Sequence, residues 1–140
     1  MTAQRAHHVG ITVSDLDRVV DFYQTVFDAS VSAEFSVSGE AFETGVGIED
    51  ASARFVHLDL DSIRLEFVAY EPAQASRPRP TLNQPGATHL GIRVDDLDAF
   101  YASLPEEVEA LSEPQTTETG TRICFVRDPE ANLVEVLELS

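Results

Sequence analysis

An internal repeat limits what this chain can fold into more tightly than any other feature. One segment reads His8-Val9-Gly10-Ile11-Thr12-Val13-Ser14-Asp15-Leu16-Asp17, and another reads His89-Leu90-Gly91-Ile92-Arg93-Val94-Asp95-Asp96-Leu97-Asp98. The two are offset by 81 positions (89 − 8). A repeat of this length means two equivalent modules, and neither is large enough to bury a good core by itself. Each copy also ends alike, with a glutamate set in an apolar strand-like run. These runs are Ile63-Arg64-Leu65-Glu66-Phe67-Val68 and Asn132-Leu133-Val134-Glu135-Val136-Leu137. Each module therefore contributes one histidine early and one glutamate late. Two nitrogens and two carboxylates form a mixed donor set suited to a borderline divalent metal.

The spacing of apolar residues fills in the modules. Residues 7–13 alternate and read as a strand. Ser14, with Asp17 three residues on, resembles a capping box. Leu16, Val19, Val20, Tyr23, Val26 and Phe27 then follow at helical spacing. Residues 31–37 read as a strand and 38–51 as a long Gly- and Glu-rich loop. Residues 54–60 and 63–70 read as strands joined by an Asp61-Ser62 turn. The segment 71–86 holds Pro72, Pro78, Pro80 and Pro85 and reads as the linker. Beyond it the order repeats. Residues 87–94 read as a strand, and Asp95 as the cap of a helix bearing Leu97, Phe100, Tyr101 and Leu104. Residues 108–111, 121–126 and 133–137 read as strands, the last pair joined by an Asp128-Pro129-Glu130-Ala131-Asn132 turn. The chain is thus expected to be one domain over 1–140, with modules at about 6–70 and 87–140.

Residues two apart on a strand share a face. Val9, Ile11 and Val13 oppose His8, Gly10 and Thr12, and Leu90, Ile92 and Val94 oppose His89, Gly91 and Arg93. Glu66 opposes Ile63, Leu65 and Phe67, while Glu135 opposes Val134 and Val136. Each strand can lay an apolar face on a helix and turn its His or Glu the other way. Gly10 and Gly91 leave the space beside each histidine open.

Composition excludes several classes. The formal net charge is −16, and all nine basic residues are arginine. Nucleic acid and anionic membrane surfaces both require a basic face, so neither is an expected partner. Abundant acid without lysine fits a surface adapted to high salt, where repulsion is screened, and fits codon bias equally. Cys124 is the single cysteine, so no intrachain disulfide forms, and its strand context marks it as a buried, inert thiol. No leader and no apolar run of spanning length stands out, which points to a cytoplasmic protein.

The segments HVGITVSDLD, RLEF, THLGIRVDDLD and RDPEANLVEV, in that order and at module spacing, resemble the vicinal oxygen chelate superfamily. That superfamily includes glyoxalase I, methylmalonyl-CoA epimerase, extradiol dioxygenases and bleomycin- and fosfomycin-resistance proteins. The resemblance covers His8 to Glu138. It implies an α+β fold of two tandem βαβββ modules, forming a curled mixed sheet around a metal-binding cup. It implies His8, Glu66, His89 and Glu135 as ligands of one divalent ion (Zn, Ni, Co, Mn or Fe), a small-molecule substrate and a homodimer.

The expected activity is that of a metal-dependent lyase, isomerase or epimerase. Chelation polarises a carbonyl and acidifies the adjacent C–H. Glu135 or Glu66 then acts as the base, with Glu43 or Glu49 on the long loop as alternatives. An extradiol-type Fe(II) dioxygenase, which needs two His and one carboxylate, is disfavoured by a fourth ligand. A sequestering, antibiotic-resistance-like protein or a thiol transferase is disfavoured by the complete donor set. Arg64, Arg122 and His57 are candidate substrate contacts, the arginines for a carboxylate or phosphate, although a surface salt bridge is the favoured role for either arginine alone. For His57 a structural role is equally open, and His7 is read as structural. The acidic helix starts, Asp15, Asp17, Asp95, Asp96 and Asp98, are caps and dipole partners rather than ligands.

Overall fold

A computed structural model describes residues 3–140 of the chain. It divides into two compact units that meet between Ser76 and Arg77, inside the expected linker. No helix or strand lies between Glu71 and His89. Each unit is a four-stranded mixed sheet with a helix after its first strand, so the α+β, twice-repeated βαβββ plan holds.

In the first unit the strands are β1 (Val9–Thr12), β2 (Ser30–Ser38), β3 (Ser52–Leu60) and β4 (Ile63–Glu71). Their spatial order is β1-β4-β3-β2, with β1 parallel to β4 and the other pairs antiparallel. Helix α1 (Leu16–Phe27) follows β1 and buries Leu16, Val19, Phe22 and Tyr23. These residues recur every three or four positions and form the stripe that closes one face of the sheet. Under it lie Val56, Leu58, Leu65 and Phe67, all 0–1% exposed, and the Tyr23 and Phe67 rings sit 4.9 Å apart. Burying side chains of this size stabilises by about 1.5–3 kcal/mol each. That preference fixes the register: a one-residue slip of β4 would exchange Leu65 and Phe67 for Glu66.

The second unit repeats the plan in β5 (His89–Arg93), α3 (Leu97–Ala102), β6 (Gln115–Thr116), β7 (Arg122–Arg127) and β8 (Leu133–Glu138), ordered β5-β8-β7-β6. Leu97, Cys124, Val126, Val134 and Val136 form its buried side. Glu138 belongs to that side too, and its carboxylate accepts the Leu97 amide at 2.8 Å, tying α3 to the sheet. The linker is held by a small ionic cluster. Arg79 donates twice to Glu109, at 2.6 and 2.7 Å, and Arg127 donates to the Pro80 carbonyl at 3.0 Å. The Arg79 hydrogen bonds hold the Glu109 carboxyl below its ordinary range. No helix among the described residues is long and apolar enough to cross a membrane.

Three local expectations are corrected. The helix caps are Asp15 and Asp96, whose side chains accept from the Arg18 and Ala99 amides at 3.2 and 3.0 Å. Ser14 and Asp95 are not the caps; each lies between the last ladder amide and the cap. Val13 donates to Val68 O and Val94 donates to Leu137 O. The Gly- and Glu-rich stretch read as a loop contains a second helix, α2 (Glu40–Val46), bounded by Gly39 and by Gly47 in the left-handed region at φ 73°. Its short length and two bounding glycines hide its periodicity, and Phe42 is its one large apolar anchor. The strand expected at 108–111 is interrupted. Leu111 and Glu109 do bond to the β7 backbone, but only Ala110 forms a bridge, to Val126, and pairing resumes at Gln115–Thr116. Pro114 lies in the break and has no N–H to give the ladder.

Candidate functional site

Alternation along the strands builds the same half-site in each unit. In the first, β1 and β4 pair in parallel with Gly10 opposite Glu66, and His8 sits just before β1. The His8 Nε2 lies 3.4 Å from Glu66 Oε1. In the second, Gly91 stands opposite Glu135, and the His89 Nε2 lies 3.5 Å from Glu135 Oε1. Both separations exceed a good N–H···O bond. They match the spacing of two ligands on a common ion: bonds of about 2.1 Å at a tetrahedral angle put the ligand atoms roughly 3.4 Å apart. A Cβ added at Gly10 would meet the His8 ring at 3.8 Å and Glu66 Oε1 at 4.0 Å. One added at Gly91 would meet Glu135 Oε1 at 3.9 Å. Anything longer than a methyl group would lie over the pair. By donor chemistry, spacing and open approach, each pair suits two ligands of a divalent metal. Among the described residues, no group of three or more His, Cys, Asp or Glu side chains is arranged to hold a metal ion.

The two pairs differ in what faces the glutamate. In β3, His57 is the cross-strand partner of Glu66; in β7, the equivalent partner of Glu135 is Phe125. The His57 Nε2 lies 2.7 Å from Glu66 Oε2, a short hydrogen bond. His57 is one of the few buried polar residues, at 8% exposure. Its ring stacks on His8 at 6.0 Å and meets the edge of Phe35 at 5.2 Å. Sequence reading left this role between two alternatives, yet the signal was there. A two-residue turn at Asp61-Ser62 forces positions summing to 123 to face each other, which pairs 57 with 66. His7, read as structural, is exposed, and its Nδ1 lies 2.7 Å from His8 Nδ1. If His8 Nδ1–H donates there, its Nε2 keeps the free lone pair that a metal ligand needs.

Arg64 shares a face with Glu66 and His57, and its Nε donates to Asp59 at 3.1 Å. Arg122 does not line the Glu135 side, and of its two readings the salt bridge is the one that forms. It shares its face with the buried Cys124 and Val126, and it binds Asp98 at the start of α3 and the Thr116 hydroxyl. Glu43 is occupied locally, accepting the Asp50 amide at 2.9 Å. Along the Glu66 face of the first sheet, Phe35 stacks on Phe55 at 5.0 Å and Phe42 of α2 stacks on Tyr70 at 6.2 Å. This aromatic wall beside the polar corner was not anticipated, because Phe42 belongs to the unrecognised helix.

Comparison with known proteins agrees with this architecture. The family model described as Glyoxalase/Bleomycin resistance protein/Dioxygenase superfamily matches residues 5–136. A 2-epi-5-epi-valiolone epimerase from Actinomyces sp is 31% identical over 124 residues, covering 84% of this chain and 68% of that protein. A glyoxalase family protein from Bacillus cereus superposes with a TM-score of 0.87 at 21% identity, over 99% of this chain and 95% of the other. The trypanothione-dependent glyoxalase I of Leishmania major superposes with a TM-score of 0.67 at 22% identity, over 97% and 87%.

Proposed function

The chain belongs to the glyoxalase/bleomycin resistance protein/dioxygenase superfamily, and from that premise we propose that it is a metal-dependent enzyme of proton transfer, acting beside the carbonyl of a small oxygenated substrate. The observation that carries this reading is the twinned His–Glu pair, at 3.4 and 3.5 Å, each opened by a glycine. His8, Glu66, His89 and Glu135 are the proposed ligands, drawn from one chain or shared between two copies in a homodimer. A divalent ion held there supplies Lewis-acid polarisation of the carbonyl. Of lyase, isomerase and epimerase, the last is favoured by the epimerase relative.

The chain's own residues divide the remaining work. Glu135 faces the apolar ring of Phe125 and is free to take a proton at a carboxylate oxygen, while the C–H electron pair moves toward the carbonyl. Glu66 has one oxygen engaged by His57 and is the more fixed of the two carboxylates. Epimerisation returns a proton to the same carbon from the opposite side, given by solvent water, and Glu135 releases the proton it took to the resulting hydroxide, so atoms and charge balance. Arg64 and the aromatic wall border the Glu66 side and are the proposed contacts for the rest of the substrate.

The test is proton exchange in D₂O with protein reconstituted with Ni, Co, Mn or Zn. Its substrates are α-hydroxy ketones, methylglyoxal–thiol adducts and 2-methyl-branched acyl thioesters. Deuterium entering next to the carbonyl supports the reading, and Glu135→Gln, assayed at saturating metal because Glu135 is also a proposed ligand, should slow it by about 10²–10⁴-fold. Oxygen uptake with a catechol, abolished by removing iron, replaces it with a dioxygenase. Tight ligand binding without turnover under any metal replaces it with a sequestering protein.

A further inference from the structure

The repeat gives both units the same His, Gly and Glu, but the residue facing each glutamate differs, His57 in one and Phe125 in the other. We propose that His57 is a positioning residue that locks Glu66 in one orientation and makes the two proposed carboxylate ligands unequal. The inference rests on the metal-site reading above.

An ionised carboxylate has no proton to give, so His57 Nε2–H must be the donor to Glu66 Oε2 at 2.7 Å. Donation from a neutral imidazole suffices. The bond occupies Oε2 and leaves Oε1 toward His8 Nε2, at 3.4 Å. Glu66 can thus present one oxygen to an ion and cannot rotate without breaking a buried bond. The His57 ring is itself held by His8 and Phe35 and is only 10% exposed in its side chain. Glu135, more exposed at 24%, meets a phenyl ring that can neither donate to it nor fix its rotamer. Outer partners that orient a ligand are typically worth 10–100-fold in metal affinity.

His57→Phe copies the second half-site into the first with a ring of similar size. Co(II) titrated against a chromophoric chelator should bind this variant about 10–100-fold more weakly than wild type, and the visible Co(II) spectrum should shift as Glu66 becomes mobile. His57→Gln, whose amide can still donate, should recover affinity to within a few-fold. A role in packing alone would be served as well by Phe as by Gln, so the order of the two variants separates positioning from support.

A metal-free arm keeps the test sharp if His57→Phe folds poorly. In the apo wild type, the His57 Nε2–H should appear as a slowly exchanging imidazole signal in ¹⁵N-edited spectra, and it should be lost in Glu66→Ala. Equal Co(II) affinity and spectra in wild type and His57→Phe would overturn the inference and leave the functional reading standing. An exchange-averaged His57 signal in the apo protein would also overturn it. A wild type that binds no divalent metal would overturn both.

Discussion

Single residues carry two consequences that can be checked directly. Cys124 is 2% exposed and rests against the Ser112 carbonyl at 3.3 Å, and burial pushes its thiol pKa up. Its charged form is therefore disfavoured in the folded state. Stability linked to this group is fully present below the unfolded thiol pKa of about 8.5 and is lost as pH rises through the higher folded value. Thiol reagents should label the native protein slowly at neutral pH and quickly only after unfolding; rapid native labelling would contradict the burial. Gly10 and Gly91 give the second consequence. A methyl group at either makes ordinary contacts of 3.8–4.0 Å, so Gly10→Ala should bind metal nearly as wild type. Gly10→Leu should lose most binding with little change in Tm. Residue-scale legibility was uneven. His8, His89, Glu66 and Glu135 stand out because the repeat singles them out. For Arg122 the salt bridge could have been preferred outright, because Cys124, two positions on, reads as buried and two residues apart on a strand share a face.

The turn before β8 matters most at the scale of elements, because it sets the register that aims Glu135. Asp128 is 4% exposed and accepts from the Glu130 amide at 2.8 Å, the Asn132 amide at 3.0 Å and the Asn132 Nδ2 at 2.9 Å. Within this clamp Ala131 is forced to φ 67°, a region that costs a residue with a Cβ about 1–2 kcal/mol. Asp128→Ala strands two backbone donors and should destabilise by about 2–4 kcal/mol in chemical denaturation. Ala131→Gly should be neutral to stabilising by up to about 1 kcal/mol. A loss on Ala131→Gly would mean that the turn is not held as described. This turn was legible because Asp, Pro and Asn each have a local reason to be there. Helix α2 was not, because its seven residues are too few to establish a period and its glycines read as loop. The caps were missed by one position because Ser14-Asp15 and Asp95-Asp96 each offer two good capping residues in a row, and local chemistry does not choose between them.

For the whole molecule, the decisive quantity is a net charge of −16 on 140 residues without a lysine. Opposing this repulsion is the reason to pair. Strand β2 is a nine-residue free edge, with Val31 and Phe35 at 40 and 41% exposure and Glu34 its one charged residue. A long, mildly apolar edge is a surface that folded proteins usually cover, and a second copy would cover it while bringing two acidic surfaces closer. Salt then sets the balance, since the screening length falls from about 10 Å at 0.1 M to about 3 Å at 1 M. Light scattering should therefore give twice the 15.3 kDa chain mass in molar salt and a lower average mass at low salt, with Tm rising over the same range. Val31→Lys places charge on the edge and leaves Phe35, which packs on His57, in place. If β2 forms the interface, that variant should be monomeric even in molar salt. A dimer that survives it would move the interface to another surface, and a wild type of single-chain mass at both salt extremes would remove the homodimer altogether.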